Sequence, residues 1–230
     1  MTIGAYFIWK SLNSADDMGI IVTKLPAVEK PEKNVEEIII PGRDGSLTVD
    51  DGTYATTTKP VECALDHGDI DALCAWLTGS GFVTFSNEPD KQYMAKIINS
   101  VPLKEIIPTF RTFIIQFSCQ PKKYSIENDL ITIDTSPAMI SHPGTENAKP
   151  VIKVYGTGTI DITINSTVVH MKNVVDYVTI DSSIMDAYKD TELKNSDMYG
   201  EFPEFVPGTN NISWTGTVTQ IEILPNWRWL

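Results

Sequence analysis

The sequence predicts a mainly β fold, and three observations support this prediction. Apolar and polar residues alternate in residues 61–65 and 111–119, which is the pattern of strands that bury one face. Segments rich in Gly, Pro, Asn and Asp separate the apolar runs, as turns do in β proteins. One stretch, residues 66–79, instead has the i, i+3, i+4, i+7 apolar spacing of an amphipathic helix.

The first part of the chain contains the predicted helix and most of the longer predicted strands. Strands are expected at residues 20–24, 35–40, 82–86 and 93–101, besides the two alternating runs. Pro121 is expected to end the strand that begins at Arg111, because proline cannot continue the ladder of a central strand. The apolar face of the helix is predicted to consist of Ile70, Leu73, Cys74 and Leu77.

Residues 40–54 contain a Pro-Gly step and two Asp-Gly steps between two predicted strands. The segment lacks the Gly-Lys-Ser/Thr and Gly-x-Gly-x-x-Gly patterns of phosphate loops and the closing Glu of a calcium loop. Asp44-Gly45 and Asp51-Gly52 supply residues that tolerate positive φ. We therefore interpret both steps as tight hairpin turns.

The second part of the chain is predicted to be almost purely β. Residues 121–150 contain four prolines and a polar segment, so we place a domain boundary near residues 125–147, with domains 1–130 and 131–230. Short strands separated by turn residues follow, a rhythm typical of a β-sandwich. These strands are predicted at residues 151–155, 160–164, 167–171, 177–180, 211–214 and 218–224. Residues 183–188 could form a helical turn or a strand, and we favour a strand or loop because residues 189–199 are polar and lack helical periodicity.

The composition indicates a soluble globular protein without a membrane anchor. The chain has 230 residues, of which 42% are hydrophobic and 21% charged. No apolar run approaches the roughly 20 residues of a membrane span, and the N-terminus lacks the pattern of a signal peptide, so we expect a cytosolic site of synthesis. The formal net charge of -12 opposes tight binding to nucleic acid.

The cysteine and histidine residues indicate no catalytic, metal or cofactor site. Cys63, Cys74 and Cys119 form no Cys-x-x-Cys pair and are odd in number, so we interpret them as buried apolar thiols. The three histidines, His67, His142 and His170, lie in no recognisable catalytic context.

Two groups of acidic residues invite other hypotheses. Asp66, Asp69 and Asp71 near His67 could suggest a metal site, but acidic residues at a helix start favour a capping role. Pairs such as Glu201 with Glu204, or Asp66 with Asp69, could suggest a glycoside hydrolase. That reaction needs two carboxyl groups facing each other about 5–9 Å apart, which sequence proximity does not show. We therefore predict no enzyme.

Several segments together resemble the distal tail proteins of long, non-contractile tailed bacteriophages and related prophages. In the first part these are Asp17-Met-Gly-Ile-Ile-Val22, Ile40-Pro-Gly-Arg-Asp-Gly45, Asp51-Gly-Thr-Tyr54, Phe117-Ser-Cys-Gln-Pro121 and Tyr124. In the second part they are Gly144-Thr145, Pro150, Ile180-Asp-Ser182, Gly200-Glu-Phe-Pro203, Pro207-Gly-Thr-Asn-Asn-Ile212 and Ile223-Leu-Pro-Asn-Trp-Arg-Trp229.

The resemblance implies an N-terminal β-sandwich or barrel-like domain that assembles into a hexameric ring, and a C-terminal galectin-like jelly-roll sandwich. Such a ring joins the tail tube to the baseplate, the receptor-binding proteins or a tail-associated lysin, and DNA passes through its centre. The expected location is the virion tail tip, after assembly in the cytoplasm of the bacterial host. The residues expected at interfaces are Arg43, Asp44, Asp51, Tyr54, Trp227, Arg228 and Trp229.

A carbohydrate-binding module for the host cell wall is the alternative function, suggested by the galectin-like fold and by Trp214, Trp227 and Trp229. The sequence around His170 and after Trp214 lacks the galectin sugar motif. Trp214 is predicted to lie in the core, because it shares a strand face with Ile212. Trp227 and Trp229 either tuck back onto the sandwich or mark a contact surface.

Overall fold

The fold is mainly β, as the sequence predicts. The structure is a computed structural model that describes residues 4–66, 69–98, 104–107 and 110–230. Within these residues there are twenty strands, one α-helix and one short 3₁₀-helix. The chain folds into two compact units, Met1–Lys123 with Leu230 and Tyr124–Trp229. The separate folding of domains 1–130 and 131–230 remains a prediction.

The first unit contains the α-helix and the strands up to most of β10. Its elements are β1 (Phe7–Trp9), β2 (Leu12–Asn13), β3 (Ile20–Lys24), β4 (Lys33–Ile39), β5 (Ser46–Tyr54), β6 (Thr57–Asp66), α1 (Ile70–Trp76), β7 (Ser80–Phe85), β8 (Lys91–Ile97), β9 (Lys104–Ile107) and β10 (Phe110–Ser125). The main sheet has the strand order β2-β1-β7-β8-β10-β6-β3, and β9 also pairs with β10. Strands β4 and β5 form a separate sheet of two strands. The predicted end of the strand at residues 93–101 lies partly outside the described residues.

The core of the first unit lies on the face predicted by the alternating patterns. In β6, Val61, Cys63 and Leu65 are buried. In β10, Phe113, Ile115, Phe117 and Cys119 are buried, whereas Ile114 is exposed. The strand β10 continues past Pro121, so the prediction that Pro121 ends it is wrong. The reason lies in the pairing with β6, whose first residue, Thr57, lies opposite Cys119. No residue of β6 lies opposite Pro121, so the missing N–H of proline costs no hydrogen bond to β6.

Helix α1 is shorter than predicted, and one residue of its expected apolar face points outward. Leu73 and Trp76 are buried within it, and Leu77 is buried at its C-cap. Cys74 is exposed, so its interpretation as a buried thiol is wrong. The buried side chains lie at i, i+3 and i+4 from Leu73, and Cys74 lies beside this stripe.

The acidic start of helix α1 has the capping role that the sequence favours. The Asp69 carboxylate accepts hydrogen bonds from the backbone N–H groups of Asp71 and Ala72, at 2.9 and 3.2 Å. The carboxylate thereby satisfies two of the N–H groups that a helix start leaves without partners. His67 lies outside the described residues.

Two tryptophans attach helix α1 to the main sheet. The indole N–H of Trp9 donates to the backbone oxygen of Trp76 at 3.1 Å, and the indole N–H of Trp76 donates to the backbone oxygen of Trp9 at 3.1 Å. Phe7 stacks on Trp76, with ring centroids 5.6 Å apart. These contacts satisfy both buried indole groups and fix the helix against β1.

The second unit is built around two long strands. Its elements are β11 (Ile131–Ile133), β12 (Ala138–His142), β13 (Val151–Ile164), β14 (Thr167–Val174), β15 (Tyr177–Asp181), β16 (Asp186–Lys189), β17 (Glu192–Leu193), the 3₁₀-helix (Asn195–Asp197), β18 (Met198–Tyr199), β19 (Gly208–Leu224) and β20 (Arg228–Trp229). The strand order is β11-β19-β13-β15-β16-β17, while β12 pairs with β19, and β14 pairs with β13 and β18. The strand β16 agrees with the expectation of a strand or loop at residues 183–188.

Strands β13 and β19 each join two segments that the sequence divides into separate strands. The residues predicted as turns are irregularities within them, with register shifts between Tyr155 and Gly156 and between Thr157 and Asp161. Gly216 has φ +92°, and a Cβ there would lie 2.4 Å from the oxygen of Thr159. The glycine therefore allows the two long strands to approach each other where they bend.

The core of the second unit collects side chains from both halves of these strands. Ile152 and Val154 precede the irregular segment of β13, whereas Ile160 and Ile162 follow it, and all four belong to one buried cluster. The sheet must therefore curl so that both halves of β13 face a common interior. This is the packing of a β-sandwich.

Replacement of Trp9 by Phe is expected to destabilise the first unit by about 2–4 kcal/mol, because the variant loses an indole hydrogen bond and leaves a buried void. Chemical denaturation followed by circular dichroism measures the change. Trp214→Phe is the control, since Trp214 is half-buried. Equal destabilisation by the two substitutions would contradict the role assigned to Trp9.

Candidate assembly interface

The predicted interface residues Arg43, Asp44, Asp51 and Tyr54 lie on the hairpin formed by β4, its turn and β5. We call this hairpin, residues 33–54, the arm. Every residue from 32 to 53 is exposed, and Tyr54 is half-buried. A two-stranded hairpin that buries no face is marginally stable in water. The arm is therefore a surface that a neighbouring molecule would stabilise.

One side of the arm carries three neighbouring apolar side chains, with Glu36 beside them opposite Val49. Ile38 lies directly opposite Leu47 in the register, and Val49 lies on the same side because it is two residues from Leu47. We call these three residues the apolar face of the arm. Their exposed fractions are 40%, 42% and 43%. Three adjacent apolar side chains at this exposure favour a contact surface.

The tip of the arm is a loop of six residues, 40–45, and not the tight hairpin turn predicted at Asp44-Gly45, because the last strand pair is Ile39 with Ser46. Gly42 and Gly45 have φ values of +83° and +82°, and the N–H of Arg43 donates to the oxygen of Ile40 at 3.1 Å. Within the described residues, neither the Arg43 guanidinium nor the Asp44 carboxylate has an ion-pair partner. Both charges are consequently available to a neighbouring molecule.

The second Asp-Gly step is not a turn, so that part of the prediction is wrong. Asp51 and Gly52 lie inside β5, opposite a register shift between Lys33 and Val35. The Asp51 carboxylate accepts the backbone N–H of Thr53 at 2.8 Å. Gly52, with a φ of +76°, is thus part of a β-bulge, and this bulge twists the arm.

The charges on the arm are mainly negative. Glu36, Glu37, Asp44, Asp50 and Asp51 outnumber Lys33 and Arg43. A hydrogen bond from Lys33 lowers the pKa of the Asp50 carboxyl, and a hydrogen bond from the Thr53 hydroxyl lowers the pKa of the Asp51 carboxyl. The Lys33 ammonium also lies 5.9 Å from the ring centroid of Tyr54. These contacts hold the carboxylates near the bulge in their charged form.

The other predicted interface residues, Trp227, Arg228 and Trp229, belong to the second unit. Trp227 stacks on His142, with centroids 4.5 Å apart and planes inclined by 27°, and its ring lies 5.7 Å from that of Phe205. Trp227 thus tucks back onto the sandwich, one of the two outcomes left open by the sequence. Trp229 is half-buried on β20. Any role of these residues at an interface stays a prediction.

Backbone contacts hold Arg228 in place. Its oxygen accepts the N–H groups of Thr145 and Glu146 at 3.1 and 3.2 Å. A Cβ at Gly144 would lie 2.1 Å from that oxygen, so only glycine allows this approach. The Arg228 guanidinium lies 5.6 Å from the ring centroid of Tyr124, which adds a cation–π contact.

His142 is a neutral structural residue in this arrangement. Its Nδ1 accepts the N–H of Gly144 at 2.9 Å, and its Nε2 lies 2.8 Å from the oxygen of Glu146, to which it donates. Burial lowers the pKa of His142. A proton added at Nδ1 would remove the acceptor for Gly144, so the neutral ring is the form that supports the stack on Trp227.

Trp214, predicted as a core residue, packs against the core of the second unit but remains half-buried. Its backbone N–H donates to the Ser136 hydroxyl at 3.1 Å. Trp214 lies two residues after the buried Ile212, so both side chains are on the inward face of the strand, as predicted. Trp214 therefore presents only part of its ring to solvent.

A buried polar cluster in the first unit was not predicted from the sequence; it is formed by Lys59, Glu88, Tyr93 and Lys123. The sequence does contain a sign of the position of Lys59: it lies two residues before Val61, and so on the same strand face as Val61, Cys63 and Leu65. A lysine at such a position is unusual, since lysines are rarely fully buried unless paired. Burial lowers the pKa of Lys59 and raises the pKa of the Cys63 and Cys119 thiols to about 12.

Two further classes of site are absent from the part of the chain that the structure describes. These residues contain no group of three or more His, Cys, Asp or Glu side chains that could hold a metal ion. They also contain no helix with the length and apolar character needed to cross a membrane.

The fold is similar to that of a solved phage hub protein. The sequence matches no family model and no curated protein. Among solved structures, the chain is similar to SPP1 Dit (gp 19.1), described as a paradigm of the hub adsorption apparatus in phages that infect Gram-positive bacteria. The TM-score is 0.74 at 14% identity, over 98% of this chain and 99% of that chain.

A weaker likeness, with a TM-score of 0.48 and 9% identity, is to the phage p2 baseplate in its activated conformation with Sr, over 95% of this chain and 97% of that chain. The chain thus has the fold of SPP1 Dit over nearly its whole length. The resemblance to distal tail proteins that the sequence predicts is confirmed at the level of the fold.

Acid is expected to destabilise the second unit through His142. Because burial lowers its folded-state pKa, unfolding takes up a proton as the pH falls below the ordinary value of 6.5. The free energy of unfolding should therefore decrease in this range, with a slope of up to about 1.4 kcal/mol per pH unit from this residue. Thermal melts between neutral and mildly acidic pH measure it.

The His142→Gln variant should lose this contribution to the slope, since glutamine does not titrate. His170→Gln is the control, because His170 is exposed and lies beside Asp161 at 2.7 Å. An unchanged pH dependence in His142→Gln would show that the buried imidazole is not its source.

Proposed function

We propose that this protein is a non-enzymatic structural component of a phage tail tip, located between the tail tube and the host-attachment apparatus. The observation that carries this proposal is the fold shared with SPP1 Dit along nearly the full length of both chains. Because the likeness extends over both compact units, the whole chain supports the same role. The expected partners are a tail tube protein on one side and a baseplate, receptor-binding protein or tail-associated lysin on the other.

We further propose that six copies form a closed ring around a channel for DNA, and that the arm makes the contact between neighbours. A ring uses heterologous contacts, in which one surface of a subunit meets a different surface of the next. The arm suits such a contact because its apolar face is exposed and its strands pair only with each other. Covering this face would stabilise both the hairpin and the ring.

The charge of the chain supports two features of this proposal. Arg43 is a cation at the tip of the arm in a chain of net charge -12, so a neighbouring copy offers it an acidic surface. The same negative charge disfavours tight contact with phosphates, as suits a channel through which DNA moves.

Glycan binding is a weaker candidate function. His142 covers one face of Trp227, and Trp214 is only half exposed to solvent. These two rings therefore offer less surface for stacking on a sugar than the sequence suggested.

Native mass spectrometry of the full chain, with negative-stain imaging, tests the ring. We expect a six-subunit species and ring-shaped particles at micromolar concentration. A protein that stays monomeric over that range, alone and with its tail tube partner, would contradict the ring.

The double substitution Ile38→Asp with Leu47→Asp is expected to abolish the ring at concentrations where the unmodified protein forms it. Two carboxylates would have to be buried against the neighbouring subunit without partners. Each residue is exposed within one chain, and the two carboxylates would face each other across the strands, so the free energy of unfolding should fall by no more than about 1 kcal/mol in total. Native mass spectrometry and thermal melting measure the two effects.

The control for this double substitution is Ile184→Asp, at a residue of the second unit with 61% exposure. It should leave the ring intact. A ring that survives the changes in the arm, or one that Ile184→Asp also disrupts, would argue against the arm as the contact between subunits.

Arg43→Glu is expected to weaken the ring less than the apolar double substitution does. Exposed ion pairs contribute up to about 1 kcal/mol, which corresponds to a fivefold loss of affinity at each interface. Because every interface of a ring is equivalent, the effect recurs around it. Sedimentation at several concentrations measures the loss, and Arg43→Gln should be intermediate. Stronger association in Arg43→Glu would refute an acidic contact.

A further inference from the structure

Two side chains hold the start of the segment that leads into the arm. The Asn87 amide donates to the backbone oxygen of Pro26 at 2.9 Å, and the Lys59 ammonium donates to the backbone oxygen of Ala27 at 3.0 Å. These are consecutive carbonyl groups, reached from two different parts of the first unit. We call Lys59 and Asn87 the root clamp.

The root clamp connects the two segments that join the arm to the main sheet. Residues 25–32 lead into the arm, and residues 55 and 56 lead out of it into β6. Lys59 is on β6, so its bond to Ala27 joins the incoming segment to the strand that follows the outgoing one. Closer to the arm, the N–H of Ala55 donates to the oxygen of Glu32 at 2.8 Å. The two segments are thus joined at two levels.

A buried polar network supports the clamp. Lys59 is only 3% exposed, and its ammonium lies 5.0 Å from the ring centroid of Tyr93. The Tyr93 hydroxyl donates to the Glu88 carboxylate, which also accepts the Lys123 ammonium at 2.9 Å. Glu88 follows Asn87 in the turn between β7 and β8. The network therefore fixes the turn from which Asn87 reaches Pro26.

Burying a lysine is costly, and a well-packed apolar residue could replace it without loss of stability. The Lys59 ammonium reaches a carbonyl in the incoming segment, a bond that an apolar side chain could not make. Residues 32–53 of the arm are all exposed, so packing against the main sheet does little to orient the arm. Its direction is consequently determined at its root.

We propose that Lys59 and Asn87 are positioning residues that fix the direction in which the arm leaves the first unit. The importance of this direction rests on the proposed function, because a ring closes only if every subunit meets the next at the same angle. If the arm pivoted at its root, the angle between neighbouring subunits would vary, and fewer rings would close. Lys59 and Asn87 thus contribute to assembly without lying on the arm.

The test compares Lys59→Met and Asn87→Ala with Lys24→Met in the full chain. Lys24 is the matched control, an exposed lysine that pairs with Glu62 at 3.2 Å on the neighbouring strand. Hydrogen exchange at the Ala55 amide reports opening at the root of the arm. We expect it to be at least about tenfold faster in both clamp variants than in the unmodified protein, and unchanged in Lys24→Met. Methionine occupies the space of the lysine stem without burying a charge, so Lys59→Met should still fold.

Equal exchange at Ala55 in the clamp variants and in Lys24→Met would overturn the proposal. If Lys59→Met fails to fold, Asn87→Ala alone tests the proposal. Asn87 is exposed, so removing its side-chain amide leaves the core intact. The yield of closed rings should fall in both clamp variants and not in Lys24→Met. If the unmodified protein forms no ring, the proposed ring fails, while exchange at Ala55 still shows whether the clamp holds the arm.

Discussion

The burial of one face of each strand is the interaction on which both compact units depend. In the first unit the inward side chains of β6 and β10 meet those of β1 and helix α1, and in the second unit the two halves of β13 contribute to one core. Because the hydrophobic effect scales with buried apolar area, these faces hold the sheets together. The arm departs from this rule, since every residue of its two strands except Tyr54 is exposed.

The exposed arm is the feature on which the proposed role in assembly rests. An exposed apolar hairpin in an isolated chain is a liability, because it can pair with or pack against other molecules. In the assembly that we propose, the same hairpin would supply a contact beyond the reach of a compact domain. In that proposed contact, Arg43 would place a positive charge at the tip of the arm, and the bulge at Gly52 would set the twist of the hairpin.

The polar groups inside the first unit have a different role from its apolar core. Lys59, Glu88 and Lys123 satisfy one another or backbone carbonyls, so their burial is compensated by hydrogen bonds. Such a network fixes the relative positions of the segments it joins more than it adds to the free energy of unfolding. In the second unit, His142 and Gly144 play a comparable part, because they give Trp227 and Arg228 one well-defined position.

The sequence by itself determined the mainly β class, the inward faces of β6 and β10, the reversal of the chain between β4 and β5, and the cap at Asp69. Each of these follows from residues close together in the chain, whose spacing and turn chemistry act locally. Only the tertiary structure decided that Gly156 and Gly216 lie within continuous strands, that Asp51-Gly52 forms a bulge, and that Lys59 reaches Ala27. These features depend on partners distant in the sequence, and the register that brings such partners together is set by the packing of the whole sheet.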